Sequence, residues 1–160
     1  ILKKPEFAFI RLDRSPSIDF QPTVDDDHFR NGFRVCGDLK RKVGVITSGY
    51  MYGRVLTLLD DTDLKDKFFI IDLIRAKPFP NIKESLLTTD NILIVDEQTS
   101  FGSLSSAVLE YLCDNQINKN VSRMCIPDKH FFENGGREHI LDLAGISVDK
   151  IKDKILDILN

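Results

Sequence analysis

Three runs of strand length are free of polar side chains at every position rather than at alternate ones: Val43-Gly44-Val45-Ile46, Phe68-Phe69-Ile70-Ile71 and Ile92-Leu93-Ile94-Val95. A strand with one wet face alternates apolar and polar residues, so a continuous run must be covered on both faces. Between and after these runs the spacing becomes helical, at Val55, Leu58 and Leu59, over residues 81–87 and over residues 103–113. A last strand is read over residues 121–126. Two helices then follow, one with Ile140, Leu141 and Leu143, the other with Val148, Ile151, Ile155, Leu156 and Leu159. Strands that alternate with helices run parallel, because parallel neighbours need long crossovers and helices supply them. The expected fold is therefore α/β: a three-layer α/β/α sandwich around a mostly parallel, mixed sheet of about five strands. Ligands of such folds sit beyond the carboxyl ends of the strands.

Composition narrows the function classes. The 160 residues carry 22 Lys and Arg against 25 Asp and Glu, a net charge of −3, which gives no long-range field to gather nucleic acid or an anionic membrane. The apolar runs fall far short of the roughly 20 residues of a membrane span, and no signal peptide opens the sequence, so the cytoplasm is the expected compartment. Cys36, Cys113 and Cys125 form no C-x-x-C pair and have no closely spaced His, so they are expected as reduced core thiols, with no metal site.

The first residue is Ile1, and Glu6-Phe7-Ala8-Phe9-Ile10 already reads as a strand in progress, which suggests an excised piece. Residues 15–28, with Pro16, Pro22 and Asp25-Asp26-Asp27, lack any regular period and suit a polar linker. The expected division puts the end of an upstream domain and a linker at residues 1–30, and the principal domain at residues 31–160. The Asp triplet suits a solvated linker better than a divalent-metal site, because consecutive side chains diverge on an extended chain.

Neither G-x-G-x-x-G after a strand nor G-x-x-x-x-G-K-[ST] occurs, so the dinucleotide and P-loop fingerprints are absent. Thr47-Ser48-Gly49, leading into Tyr50-Met51-Tyr52-Gly53, sets hydroxyls and a glycine before a helix. Such a loop can hold an anion on free backbone N–H groups. The same residues also make a helix cap. Gly102, Ser103 and Ser105 form a second loop of small residues, where backbone can approach a neighbouring chain or simply pack helix on sheet. Glu97 ends a strand with no His or second carboxylate at a readable spacing, and His28, His130 and His139 are scattered, so no catalytic constellation is complete.

Several segments, in order, are similar to the transketolase family: Ile10 to Arg14; Lys42 to Tyr52; IDLIRAKPF from Ile71; IVDEQTSFGSLSSAV from Ile94; and Ile126-Pro127-Asp128. The third resembles I-D-L-R-x-x-K-P-L and the fourth V-E-E-x-x-x-x-G-G-x-G-S-A-V. Arg75 stands one residue later than the family's arginine, Ser103 and Ser105 replace glycines, and His130-Phe131 stands where a single aromatic follows I-P-D. The resemblance covers the end of a pyrimidine-binding domain, a linker and the C-terminal domain, in a transketolase, including its two-subunit form, or a deoxyxylulose phosphate synthase.

That resemblance implies a Rossmann-like C-terminal domain that packs on upstream domains or a partner subunit and helps build a homodimer. Thiamine diphosphate and Mg2+ would be held by the upstream domains and not by this chain, which alone would be inactive. The parent would transfer a two-carbon unit between sugar phosphates, as in the pentose phosphate pathway. Arg11 and Arg14 would bind the substrate's phosphate, to which a guanidinium fork is suited. The alternative is that both arginines hold acidic linker residues such as Asp19 or Asp25. Gly102, Ser103 and Ser105 would lie at the subunit interface. The rival from another class is a free-standing flavodoxin-like module that binds an anion at Thr47, Ser48 and Gly49.

Overall fold

The computed structural model describes residues 24–160. In chain order they form α1 (Asp26–Asn31), β1 (Phe33–Cys36), β2 (Val43–Thr47), α2 (Gly49–Leu56), β3 (Phe68–Leu73), α3 (Lys83–Leu86), β4 (Asn91–Thr99), α4 (Leu104–Asp114), β5 (Asn120–Ile126), α5 (Gly136–Leu143) and α6 (Val148–Leu159). A 3₁₀ turn, Thr57–Asp60, follows α2 and carries Leu58 and Leu59, which the helical spacing had placed on the helix itself.

The strands form one sheet in the order β1-β3-β2-β4-β5. β2, β3, β4 and β5 are mutually parallel, and β1 lies antiparallel on β3. Every residue of β2 and β3 is buried. Their side chains divide between two cores by strict alternation. Val43, Val45, Phe68, Ile70, Leu93 and Val95 pack with Met51, Tyr52 and Val55 of α2, Leu141 of α5 and Ile151 and Ile155 of α6. On the other face, Ile46, Phe69, Ile71, Ile92 and Ile94 pack with Leu86 of α3 and Val108 and Leu112 of α4. This is the expected α/β/α sandwich.

Three local readings change. The polar segment around Asp25 is not a linker at its carboxyl end but the start of a helix. Asp25 accepts from the His28 backbone N–H at 2.8 Å, the His28 side chain meets the Asp25 N–H in return, and Asp26 and Asp27 complement the positive helix end. β1 was hidden by its brevity and by Arg34 in its middle. The cysteines are free but are not core residues: Cys113 is exposed on α4, and Cys36 and Cys125 are half-buried. The strand expected at residues 6–10 lies outside the described residues.

Gly44 faces the second core, where a Cβ would fall 2.8 Å from Cζ of Phe69 and 3.3 Å from Cδ1 of Ile92. Phe69 is fully buried and has little room to yield. Gly44→Ala should therefore destabilise the domain by about 1–3 kcal/mol, the usual cost of overpacking, measured by urea unfolding with an unchanged m-value.

Candidate functional site at the carboxyl ends of the strands

Alternation carries one row of polar residues onto the α2 face at the end of the sheet: Arg34 of β1, Asp72 of β3 and Thr47 of β2, with Arg34 opposite Asp72 and Thr47 opposite Asp72 in register. Arg34 Nε donates to Asp72 Oδ2 at 2.9 Å, and both side chains are almost wholly buried. Tyr52 of α2 roofs the pair, with the Arg34 guanidinium carbon 4.1 Å from its ring centroid and its hydroxyl 3.2 Å from Cys36 Sγ. Burial pushes the Asp72 carboxyl above its ordinary range, and the Arg34 charge opposes that shift without cancelling it. Burial, reinforced by the hydrogen bond with Cys36, pushes the Tyr52 phenol well above its ordinary value. Tyr52 is thus held neutral, and the pair acts as a clamp between strands rather than as a proton-transfer dyad.

Nearer solvent, Arg137 of α5 grips Glu97 of β4 with two nitrogens, at 2.7 and 2.5 Å, and stacks 3.8 Å from the centroid of the Tyr50 ring. Tyr50 donates to Glu138, and Arg54 Nη2 lies 2.7 Å from the other Glu138 oxygen. These contacts seat α5 on α2. Glu97 is consequently a structural anion held by a guanidinium, not a free acid or base.

The loop before α4 is organised by Asp96, which accepts from the backbone N–H of Ser105 at 3.3 Å and of Gln98 at 3.1 Å. Ser105 is buried within the domain, its Oγ 3.3 Å from that of Ser103. Ser103 is half-buried, and Gly102 is exposed at φ +69° with its N–H donating to Ser106 Oγ. Phe101 and Phe132 stand 71% and 91% exposed on neighbouring loops. Burial raises the Cys125 thiol above its ordinary value, which disfavours the thiolate a nucleophile requires.

Thr47, Ser48 and Gly49 stand together at the end of β2 and the start of α2. Ser48 has extended cap geometry but its side chain accepts nothing from the helix, so the capping alternative does not describe it. Arg75 binds carbonyl oxygens of Pro78, at 3.1 Å, and Arg30, at 3.4 Å, tying α1 to the loop after β3. Arg11 and Arg14 lie outside the described residues. Among the described residues, no three His, Cys, Asp or Glu side chains converge as a metal site, and no helix is long and apolar enough to cross a membrane. The described residues therefore supply no carboxylate, imidazole or thiolate set of the kind that would hold a metal alongside thiamine diphosphate. A cleft of about 600 Å³ lined by Lys40, Arg41, Lys67 and Leu156 opens at the opposite end of the sheet, at the amino ends of β2 and β3.

Residues 37–151 match the family described as transketolase, C-terminal domain. The chain belongs to the transketolase C-terminal domain family. It is 31% identical over 115 residues to the 1-deoxy-D-xylulose-5-phosphate synthase of Chlamydia trachomatis serovar L2, covering 70% of this chain and 18% of that protein. It is 29% identical over 110 residues to the synthase of Lawsonia intracellularis, covering 68% and 17%. The chain thus spans under a fifth of these relatives' length. A solved structure described as a split-gene transketolase, inactive beta4 tetramer, superposes with a TM-score of 0.68 at 21% identity, covering 91% of this chain and 45% of that one. That likeness concerns the fold.

Within this transketolase-type domain, the Arg34–Asp72 clamp was not identified from sequence, because Arg34 sits in a four-residue strand and its partner lies 38 positions away. Removing one charge strands the other in the core. Asp72→Asn or Arg34→Met should cost about 3–5 kcal/mol, whereas the paired replacement Arg34→Met with Asp72→Leu should recover most of that loss. Chemical unfolding of the three variants reads the difference.

Proposed function

We propose that this domain is the structural and subunit-contact part of a thiamine diphosphate-dependent, transketolase-type transferase in the cytoplasm, with the cofactor and Mg2+ held by domains or a subunit outside the chain. The observation that carries this reading is the match of residues 37–151 to the family, set beside the small share of each relative that the chain spans. When bound in the parent, thiamine diphosphate would serve as the electron sink for making and breaking a carbon–carbon bond beside a carbonyl. The relatives named above favour formation of 1-deoxy-D-xylulose 5-phosphate over ketol transfer between sugar phosphates, although the structural neighbour carries a transketolase name.

The interface role falls first to Gly102 and Ser103, with Phe101 and Phe132 beside them as exposed apolar contacts, while Ser105 supports the loop from within. Ser103→Leu should weaken parent assembly and leave the melting temperature of the isolated domain nearly unchanged. Ser105→Leu should lower that temperature by several degrees, in line with an overpacking cost of about 1–3 kcal/mol. Sedimentation of the parent and thermal melting of the domain, both on the same variants, separate the two roles.

The direct test is to read the coding sequence upstream of Ile1, express the longer protein with thiamine diphosphate and Mg2+, and assay both activities with and without residues 24–160. The expected result is an upstream pyrimidine-binding domain and activity that requires this domain. A start codon immediately before Ile1, with no cofactor-binding subunit co-purifying, would overturn the proposal. In the active parent, Arg11→Ala should raise KM for the phosphorylated substrate by the equivalent of about 1.5–3 kcal/mol, the worth of a hydrogen bond to a charged group. An equal effect on an unphosphorylated analogue would assign Arg11 to the linker instead.

A further inference from the structure

Between β5 and α6 the chain runs past the carboxyl ends of the strands as a strap, residues 127–143, in which Leu141 is the one buried side chain. Residues 127–135 hold no helix or strand, and their single backbone hydrogen bond among the described residues runs from the Lys129 N–H to the Pro127 carbonyl at 2.8 Å. Gly136, at φ +76°, and Gly145, at φ +77°, bracket α5, and nothing lies within 4 Å of where either Cβ would be. Beyond Gly145 the chain is anchored again. Ile146 is buried in the first core, and its N–H donates to the Leu141 carbonyl at 2.9 Å. A helix as short as α5 is marginal in water by itself, so it persists only while docked.

What docks its first turn is charge. Arg137 holds both oxygens of Glu97 and covers the Tyr50 ring, while Glu138 takes the Tyr50 hydroxyl on one oxygen and Arg54 on the other. These side chains remain within reach of salt: Glu97 is 22% exposed, Arg137 28%, Arg54 30% and Glu138 53%. Ion pairs at such exposure are screened by electrolyte, whereas apolar burial of the kind that fixes Ile151 and Ile155 of α6 is not. The strap and the sheet therefore depend on ionic strength in different ways.

We propose that residues 127–143 are an ionically latched flap that opens as a unit while the sheet stays folded, with the contacts of Arg137 and Glu138 as the latch. Closed, the flap neutralises Glu97 and covers one face of Tyr50. Open, it presents the Glu97 carboxylate and the Tyr50 hydroxyl to solvent at the carboxyl corner of β2 and β4. Opening withdraws one fully seated side chain, Leu141, from the first core, where global unfolding withdraws them all. The flap thus belongs to the low end of the domain's range of local stabilities. This device rests on the chain's own geometry and is independent of the activity proposed for the parent.

Native-state hydrogen exchange of the whole chain at about 0.01 M and about 1 M NaCl, between which the Debye length falls from roughly 30 Å to roughly 3 Å, tests it. The helix amides of residues 140–143 should exchange through an opening with little urea dependence. Relative to the β3 amides, their opening constant should rise about fivefold at high salt, the scale of a surface ion-pair network. Glu97→Gln keeps the shape and removes the charge, so it should open the flap about fivefold more often at low salt, lose most of the salt response and leave β3 exchange unchanged. Glu138→Gln, on the other arm of the latch, should act in the same direction. Amides of α5 that open only together with β3, a salt-independent opening, a loss in Glu97→Gln shared equally by β3, or unchanged α5 exchange in both variants would each overturn the proposal.

Discussion

The two-sided burial of β2, β3 and the first half of β4 is the constraint from which the rest of this domain follows. Nine consecutive pairs in the β2–β3 and β2–β4 ladders join residues that are buried almost without exception. A sheet whose centre can meet no water must be covered above and below, and the parallel order of its strands brings the covering helices as crossovers. Polar side chains are then confined to the strand ends. Thr47, Asp72 and Asp96 each appear where a central strand leaves the core, and each is still buried. The concentration of hydrogen-bonding groups at the carboxyl edge is thus a consequence of packing.

Holding those groups under helices has an electrostatic cost that the structure meets by pairing. Asp72 is desolvated, and the Arg34 guanidinium that compensates it arrives on an antiparallel edge strand from outside the parallel run. Two buried charges stabilise little in net terms, but they reject alternative registers, because sliding β1 by one residue would turn Arg34 to the other face. The clamp thereby specifies where β1 attaches, and Tyr52, held neutral, locks α2 over it. At the other edge β5 has no buried side chain: Asn120 and Arg123 are exposed and the other five are half-buried.

Much of this was legible in the sequence. β3 begins at Phe68, where its apolar run begins, and α6 spans its stripe from Val148 to Leu159, because a continuous apolar run and a long amphipathic stripe are strong local signals. The family resemblance rested on short phrases in the right order, and the match over residues 37–151 agrees with it. What was not legible depends on distance along the chain. Arg34 and Asp72 are 38 positions apart, and Arg137 reaches Glu97 across 40. No local pattern encodes such pairs. α1 was missed for a different reason: six residues hold no apolar period, and its signal lay in the reciprocal cap between Asp25 and His28.

Native-state hydrogen exchange tests the central claim most directly. If two-sided burial of β2, β3 and β4 sustains the domain, their amides should exchange only through global unfolding, with a common free energy and the full denaturant dependence. Amides of β1, β5 and α1 should open at lower free energies. Exchange of β2 or β3 through local openings well below the global value, or slowest exchange in β5, would contradict the account.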